Sequence, residues 1–387
     1  MNLREKDNKY IASSYSRFPV TLVSGEGALV YDDCGKEYID LGAGIAVNTF
    51  GYSDKKWVEA VTQQISKLSH TSNLYYTEPG AMLAEVLCEK TGFKKVFFSN
   101  SGAEANECAI KAARKYSHDK YGDGRYAIVT LVNSFHGRTV TTLAATGQDV
   151  FHKDFNPFTG GFIYAKANDI EDTLAKIKEN NACAVMLELV QGEGGVMALD
   201  KDYVSALYEY CQQNDVLFVC DEVQTGNGRT GKLYAYMNYG IMPDIVSTAK
   251  GLGGGLPIGA TLFGDKVQDT YTPGTHGSTF GGNPVCCAAA LSVIERLDDA
   301  FLESVKDKSK YVFDALSGAK GVKNISGMGL MIGLETERPV ADIIADCREK
   351  GVLVLSAKTK VRLLPPLNIE EKQLEKAIDI LKEVLAK

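Results

Sequence analysis

Hydrophobic and polar positions alternate regularly along the middle of the chain. Windows with helical periodicity cover residues 78–91, 103–117 and 202–213. They alternate with short apolar runs at residues 96–98, 127–132, 184–190, 216–220, 245–246 and 258–263. Strands that alternate with helices are typical of a mostly parallel sheet with helices on both faces. We therefore predict an α/β fold with a large central sheet.

Both ends of the chain differ from this pattern. Near the N-terminus, residues 20–23 and 28–31 predict short strands around a turn at residues 25–27. Beyond residue 288, helical periodicity is followed by strand-like runs and a final amphipathic helix, at residues 330–334, 352–355 and 370–385. These features predict a second, smaller α/β unit.

The few N-terminal strands are too short to form a core of their own, so we expect them to pack with the C-terminal part. A chain of 387 residues is also long enough for two or three packed units. We therefore predict a large domain at residues 46–288 and a small domain formed by residues 1–45 with 289–387.

Composition excludes several classes of partner. The chain has a net charge of −7 and no long basic run, so we expect neither nucleic acid nor an anionic membrane as a partner. No apolar segment follows the first residues, which favours a cytoplasmic location. The nine cysteines include no Cys-x-x-Cys pair and the five histidines are dispersed, so we expect free thiols and no metal.

Polar residues that directly follow apolar runs are candidates for a site, because ligands of such sheets bind beyond the carboxyl ends of strands. Residues 99–106 form a small-residue turn that opens a helix, and the free amides of a helix N-terminus suit a phosphate. An ordinary cap by Ser101 is the alternative interpretation.

Two further candidates follow later strands. Asp221 comes directly after the run at residues 216–220, where a carboxylate could anchor a cofactor, bind magnesium or cap a helix. Lys250 leaves a short strand for a glycine-rich loop, where desolvation would lower its pKa and make it a nucleophile toward an aldehyde. The alternative for Lys250 is a solvent-exposed loop lysine.

Residues 226–231 match the glycine pattern of dinucleotide-binding loops. The match lacks an evident helix start, and the acidic residue expected about 20 positions later would be Asp244, which precedes a strand instead of ending one. A nicotinamide-dependent oxidoreductase therefore stays an alternative function that assigns no role to Lys250.

Taken in order, the motifs of this chain resemble those of class III aminotransferases, which have the pyridoxal phosphate (PLP) fold type I. The motifs are SGAEA (101–105), FHGR (135–138), QGEGG (191–195), DEVQTGNGRTG (221–231), AKGLGGGLPIGA (249–260), HGSTFGGNP (276–284) and RLLPPL (362–367). The resemblance extends over nearly the whole chain. A PLP-binding regulator coupled to a DNA-binding module is a further alternative, but the chain has no basic module.

The resemblance implies a role at the cofactor for nine residues. Lys250 would hold PLP as a Schiff base and move the catalytic proton, and Asp221 would keep the pyridine nitrogen protonated. The others would bind the phenolic oxygen (Gln224), the two ring faces (Val223, Phe135) and the phosphate (Ser101, Gly102, Ala103, and Thr279 of the partner subunit). A homodimer with shared sites is therefore expected.

The resemblance also implies the substrates. Arginine reads a carboxylate with two hydrogen bonds. Arg138, assisted by Tyr15, would bind the α-carboxylate of an ω-amino donor, and Arg362 that of 2-oxoglutarate, with Glu193 pairing with Arg362 in the other half of the cycle. Ser278 is also expected at the substrate. A structural ion pair is the alternative for Arg362.

Residues 15–20, 44–48 and 70–79 resemble those family members that act on N²-acetylornithine. The expected reaction transfers the δ-amino group of N²-acetylornithine to 2-oxoglutarate, a step of arginine biosynthesis. Ornithine, succinylornithine, succinyl-diaminopimelate and 4-aminobutyrate are the alternative donors. The segment after Asn48 departs from the family pattern, which affects the expected entrance to the site and leaves the cofactor residues intact.

Overall fold

A computed structural model describes all 387 residues of the chain. Its strands, in chain order, are β1 Leu22–Glu26, β2 Leu29–Asp32, β3 Glu37–Asp40, β4 Lys95–Ser99, β5 Ile128–Leu131, β6 Phe162–Ala165, β7 Ala184–Leu187, β8 Val190–Gln191, β9 Met197–Ala198, β10 Leu217–Asp221, β11 Ile245–Thr248, β12 Gly259–Phe263, β13 Val322–Met328, β14 Met331–Thr336, β15 Val352–Leu353, β16 Leu355–Ala357 and β17 Lys360–Leu363.

The helices lie mostly between the strands. They are α1 Leu3–Tyr10, α2 Ala43–Ala46, α3 Lys55–Lys67, α4 Glu78–Thr91, α5 Gly102–Tyr121, α6 Val140–Ala145, α7 Ile170–Glu179, α8 Lys201–Gln213, α9 Tyr236–Tyr239, α10 Pro284–Ile294, α11 Asp299–Leu316, α12 Val340–Glu349 and α13 Glu371–Leu385, with short 3₁₀ turns at Asp149–Phe151 and Lys250–Leu252. None of these helices has the length and apolar character that crossing a bilayer requires.

A seven-stranded sheet forms the centre of the molecule, in the order β4-β12-β11-β10-β7-β5-β6. All its described pairings are parallel except those of β12, which runs opposite to β11 and β4. Strands β5, β7, β10, β11 and β12 are buried along their whole length, as strands covered by helices on both faces must be. The predicted mostly parallel α/β fold is confirmed, although the sequence pattern did not reveal β6.

Helix α5 packs closely on the centre of this sheet. Small buried side chains, including Ala105, Ala109 and Ala113, let its backbone approach β10, β11 and β12. The Ser101 hydroxyl accepts a hydrogen bond from the Glu104 amide and so caps the first turn. The helix therefore begins where the sequence predicted, directly after β4, and it points its N-terminus at the carboxyl edge of the sheet.

Two four-stranded sheets lie outside the central one, with the orders β1-β2-β3-β15 and β13-β14-β17-β16, and β8 and β9 form a further two-stranded sheet. The N-terminal strand β3 pairs in parallel with β15 from the C-terminal region, through Ile39 and Val352. This pairing supports the division into two domains, which stays a prediction. The first hairpin differs from expectation: β1 continues to Glu26, so the turn comes at Gly27, whose φ is +57°.

The glycine-rich loop at residues 226–231 is a packing element. Gly228 has a φ of +88°, which favours glycine, and a Cβ atom on it would lie 2.9 Å from Cδ1 of Leu367 in the C-terminal region. Arg229 is 2 % exposed, and its Nη1 donates to the carbonyl oxygens of Leu330 (3.1 Å) and Pro365 (2.6 Å). The loop thus joins β10 to the C-terminal strands, and no long helix begins there to receive a pyrophosphate.

We expect Arg229→Met to lower the free energy of unfolding by about 3 kcal/mol, because it leaves two buried carbonyl groups without a donor. Urea unfolding at neutral pH measures this change. Arg125→Met is the matched control: Arg125 also donates to two backbone carbonyls, of Asn214 and Asp215, but is only half-buried. Water can replace its hydrogen bonds, so the control should cost less than about 1 kcal/mol. Equal losses would contradict the role of burial.

Candidate active site

A cavity of about 270 Å³ opens at the carboxyl edge of the central sheet. Eight of the residues predicted for the site line it: Gly102, Ala103, Phe135, Arg138, Asp221, Val223, Gln224 and Lys250. Four others, Asn106, His136, Gly137 and Glu188, complete the lining. Residues more than 140 positions apart in sequence meet here because parallel strands end at the same edge.

The first turn of α5 forms one wall of the cavity through Gly102 and Ala103. Amides in the first turn of a helix have no partner within the helix, and the helix dipole favours an anion there. A Cβ atom on Gly102 would lie 2.6 Å from Cγ1 of Val223, so glycine is required for this close approach. The cap by Ser101 and the anion-binding geometry are therefore both present.

Asp221 ends β10 and is 3 % exposed. Its Oδ2 accepts a hydrogen bond from Nδ2 of Asn106 (2.7 Å) and lies 2.7 Å from Nδ1 of His136. Its Oδ1 accepts from the amide of Val223 (3.0 Å). Asn106 is itself held by the hydroxyl of Ser247, which donates to its Oδ1 (2.5 Å). The carboxylate is thus fixed by nitrogen donors, an arrangement that suits the binding of a protonated ring nitrogen.

Lys250 follows β11 and lines the cavity, half-buried, in the 3₁₀ turn. The alternative of a solvent-exposed loop lysine is therefore wrong. Burial lowers the pKa of its amine below the usual value, partly opposed by the negative charge of Glu193. A lowered pKa increases the neutral fraction of the amine, which is the form that attacks an aldehyde.

Glu193 and Arg362 form an ion pair, with 2.5 Å between Oε1 and Nη1. Arg362 lies in β17 and is 3 % exposed; the same Nη1 also donates to Oε1 of Gln224 (3.2 Å). Burial alone would raise the pKa of the Glu193 carboxyl, but the guanidinium charge lowers it below its usual value. Nε of Arg362 is buried without a partner, so the guanidinium keeps a donor for another acceptor.

Arg138 lies at the mouth of the cavity between two aromatic rings. Its guanidinium carbon is 3.9 Å from the ring centre of Phe151 and 5.5 Å from that of Phe135. Rings at this distance hold a cation by their negative faces. The sequence did not single out Phe151, because an aromatic residue in a loop carries no positional signal.

Glu188 is a second site residue that the sequence did not single out. Its carboxylate accepts hydrogen bonds from the amides of Phe135 (2.8 Å) and Gly192 (3.0 Å), and burial raises its pKa to about 7. The signal was present, since Glu188 directly follows β7. The predicted strand covered residues 184–190, so Glu188 was placed inside the strand instead of at its end.

Six predicted site residues are not part of the cavity lining. Ser101 caps α5, and Glu193 and Arg362 pair with each other, whereas Tyr15, Ser278 and Thr279 lie elsewhere in the single chain. Tyr15 is 76 % exposed, and Thr279 is also exposed. The hydroxyl of Ser278 accepts hydrogen bonds from Nδ2 of Asn100 (3.1 Å) and the amide of Gly281 (3.0 Å). Ser278 and Thr279 border a separate recess beside Asn100. The roles assigned to these three residues, like those of the other site residues, stay predictions.

The lining of the cavity offers a partner for each chemical part of PLP. It offers an amine for the aldehyde (Lys250), a helix N-terminus for the phosphate (α5), a buried carboxylate for the ring nitrogen (Asp221) and side chains for the two ring faces (Val223 and Phe135). His136 adds a buried Nε2 without a partner. Residues 226–231 lie outside this lining, which removes support for a dinucleotide.

Comparisons with known proteins agree with this geometry. The acetylornithine aminotransferase of Haemophilus ducreyi is 54 % identical over 386 residues, covering 99 % of this chain and 98 % of that protein. The acetylornithine aminotransferase of Caldanaerobacter subterraneus is 47 % identical and covers 98 % of each chain.

Solved structures show the same similarity. The ornithine aminotransferase of Toxoplasma gondii superposes with a TM-score of 0.94 at 30 % identity, covering 99 % of this chain and 94 % of that one. The N-acetylornithine aminotransferase of Stenotrophomonas maltophilia has a TM-score of 0.85 at 36 % identity, covering 99 % and 98 %. The model of the class III aminotransferase family matches residues 10–385, and the chain belongs to that family.

Proposed function

We propose that this enzyme uses PLP to transfer the δ-amino group of N²-acetylornithine to 2-oxoglutarate. The donor becomes N-acetylglutamate 5-semialdehyde and the acceptor becomes glutamate, a step of arginine biosynthesis. The observation that carries the proposal is the ion pair of half-buried Glu193 with buried Arg362, both of which act electrostatically on Lys250. The relatives that share nearly the full length of the chain are acetylornithine aminotransferases, which supports the same substrates.

Bound PLP supplies an electron-accepting ring for the pair of electrons left when a substrate carbon loses a proton. Lys250 is the base that takes this proton on Nζ and returns it, and its lowered pKa keeps the amine neutral for that purpose. Asp221 would hold the ring nitrogen in its protonated form through its carboxylate. Gln224 would donate to the phenolic oxygen, and Val223 and Phe135 would contact the two ring faces.

Arg138 and Arg362 provide two carboxylate-binding sites for substrates of different length, so one cavity can serve both substrates. Arg138 at the mouth binds the distant α-carboxylate of the acetylated donor, assisted by Tyr15, with Ser278 close to the substrate. During that half of the cycle Glu193 neutralises Arg362. When 2-oxoglutarate enters, its α-carboxylate takes the place of Glu193 on Arg362, using the unpaired Nε as a further donor.

We infer further that the enzyme is a cytoplasmic homodimer with no nucleic acid or membrane partner. In this arrangement Thr279 reaches the phosphate of the partner subunit together with Ser101, Gly102 and Ala103. Its exposure in the single chain supports the proposal, because a residue with that role must be accessible to a second copy.

Absorbance spectra recorded after each substrate is added test the proposed reaction and the role of Lys250 together. N²-acetylornithine should abolish the visible absorbance of the PLP-loaded protein, and 2-oxoglutarate should restore it, because bound PLP would carry the amino group from the first substrate to the second. Lys250→Ala should show no such cycle. If only ornithine or 4-aminobutyrate changes the band, the donor assignment is wrong while the class of reaction stands.

Glu193→Gln tests the shared carboxylate site. Loss of the negative charge leaves Arg362 unneutralised when the acetylated donor is bound, so kcat/KM for N²-acetylornithine should fall about tenfold. The KM for 2-oxoglutarate should fall or stay unchanged, since its competitor for Arg362 is gone. The pKa of the Glu193 carboxyl lies below its usual value, so in the wild type its pairing with Arg362 is lost only in acid. The differences between the variant and the wild type should therefore hold at neutral pH. Equal losses for both substrates would contradict the switch.

Subunit mixing tests the shared site. Lys250→Ala is inactive in its own cavity, and Thr279→Asp should repel the phosphate of the partner subunit. In a mixed dimer of the two variants, one site carries both changes and the other carries neither. Activity should therefore reappear after the inactive variants are unfolded and refolded together, and each variant refolded alone is the control. No recovery in verified mixed dimers would exclude the assignment of Thr279.

A further inference from the structure

The backbone of Lys250 has an unusual conformation for its residue type. Its φ is +46°, in the left-handed region, which residues with a Cβ atom adopt at a cost of about 1 kcal/mol or more. The 3₁₀ turn at Lys250–Leu252 starts in this conformation, and the side chain lines the cavity from it. Such a conformation persists only where the surrounding structure holds it.

Asn227 holds the turn on the N-terminal side of Lys250. The Asn227 side chain is buried, and its Nδ2 donates to the carbonyl oxygen of Ala249 (3.0 Å) and to Oγ1 of Thr248 (3.0 Å). It comes from the glycine-rich loop at residues 226–231, which takes no part in lining the cavity. These two hydrogen bonds connect the loop to the residues directly before Lys250.

Thr49 holds the turn on the C-terminal side. Its hydroxyl donates to the carbonyl oxygen of Gly251 (2.8 Å) across a separation of 202 residues, and the side chain is 1 % exposed. The backbone carbonyl of Thr49 accepts from the amide of Leu367 (2.9 Å), the last residue of the RLLPPL segment that begins with Arg362. Thr49 thereby links the lysine turn to the segment that carries the second substrate arginine.

Gly251 lies in tight contact with both residues. A Cβ atom placed on it would be 2.7 Å from Oγ1 of Thr49 and 3.3 Å from Cβ of Asn227. The turn is therefore enclosed from two sides, with no space for it to shift toward either side chain. We call Thr49 and Asn227 the lysine clamp.

We propose that the lysine clamp positions Lys250, by holding the carbonyl groups on both sides of it and so keeping its strained backbone in the conformation that directs Nζ into the cavity. Neither residue touches the reacting atoms, so both are positioning residues. The expected changes in kinetics rest on the proposed function. The positioning of the Lys250 amine does not depend on it.

Loosening the clamp should change the surroundings of the amine. In the native arrangement burial lowers the pKa of Lys250, and the charged groups that act on it are Glu193, Arg362, Asp221 and Glu188. A turn that moves lets Nζ leave this environment for part of the time, which brings its pKa closer to that of an exposed lysine. The same movement misplaces the proton-transferring atom during catalysis.

Thr49→Ala and Thr49→Ser form a matched pair, because both lose the methyl group and only serine keeps the hydroxyl. Thr173→Ala is the control for a purely structural loss: Thr173 is fully buried, and its hydroxyl donates to the carbonyl oxygen of Asp169 (2.9 Å) away from the cavity. Two measurements are made on each variant. One is steady-state kinetics of the PLP-loaded enzyme, and the other is the pH dependence of acetylation of Lys250 in the PLP-free protein, followed by mass spectrometry.

For Thr49→Ala we expect kcat to fall about tenfold with little change in KM for either substrate, as for loss of positioning without loss of binding. The apparent pKa of Lys250 in the PLP-free protein should rise. Thr49→Ser should restore both values nearly to wild type. Thr173→Ala should lower thermal stability without moving kcat or the pKa of the amine.

Asn227→Gly provides a second test if Thr49→Ala does not fold. Glycine tolerates the φ of +56° at this position and removes the whole side chain with its amide donor, so the pKa of Lys250 should rise as for Thr49→Ala. An unchanged pKa and kcat in Asn227→Gly, or equal values for Thr49→Ala and Thr49→Ser, would overturn the proposal. Acetylation needs no substrate, so an enzyme that failed with N²-acetylornithine would contradict the proposed function without affecting this result.

Discussion

Parallel pairing of β10 with β11 is the constraint on which the site depends. Asp221 pairs with Ser247 in this register, and Lys250 follows three residues later at the same edge of the sheet. Backbone hydrogen bonds thus place the carboxylate and the amine beside each other before any side chain contributes. A shift of one residue in this register would turn the side chains of the shifted strand to the other face of the sheet, so the chemistry of the site is tied to the stability of the central sheet.

Several charged groups are buried near this edge, and each is stabilised by specific partners. Asp221 is held by nitrogen donors, and Arg362 is neutralised by Glu193. Glu222, next to Asp221, accepts from the amides of Ala235 and Tyr236, while burial raises its pKa to about 7. Uncompensated charges at such positions would cost several kcal/mol each, so the hydrogen bonds around them are needed for the fold as well as for the site.

The sequence predicted those parts of the site that follow a local rule. Asp221 and Lys250 were found because polar residues directly after apolar runs mark strand ends, and the turn before α5 was found from its small residues and helix cap. Glu188 obeys the same rule but was hidden by a strand assigned three residues too long. Strand β6, Phe162–Ala165, was missed; it lies at the edge of the central sheet, and only Ala165 of its four residues is buried.

Local pattern and motif order thus determined by themselves the α/β class, the family resemblance and the residues at strand ends, because hydrophobic periodicity and strand-to-helix turns are encoded by neighbouring residues. Contacts between distant segments were decided only by the tertiary structure. The pairing of Glu193 with Arg362 and the contact of Thr49 with Gly251 span 169 and 202 residues. Neighbouring residues carry no information about such pairs, because these contacts arise from how the sheets and loops pack together.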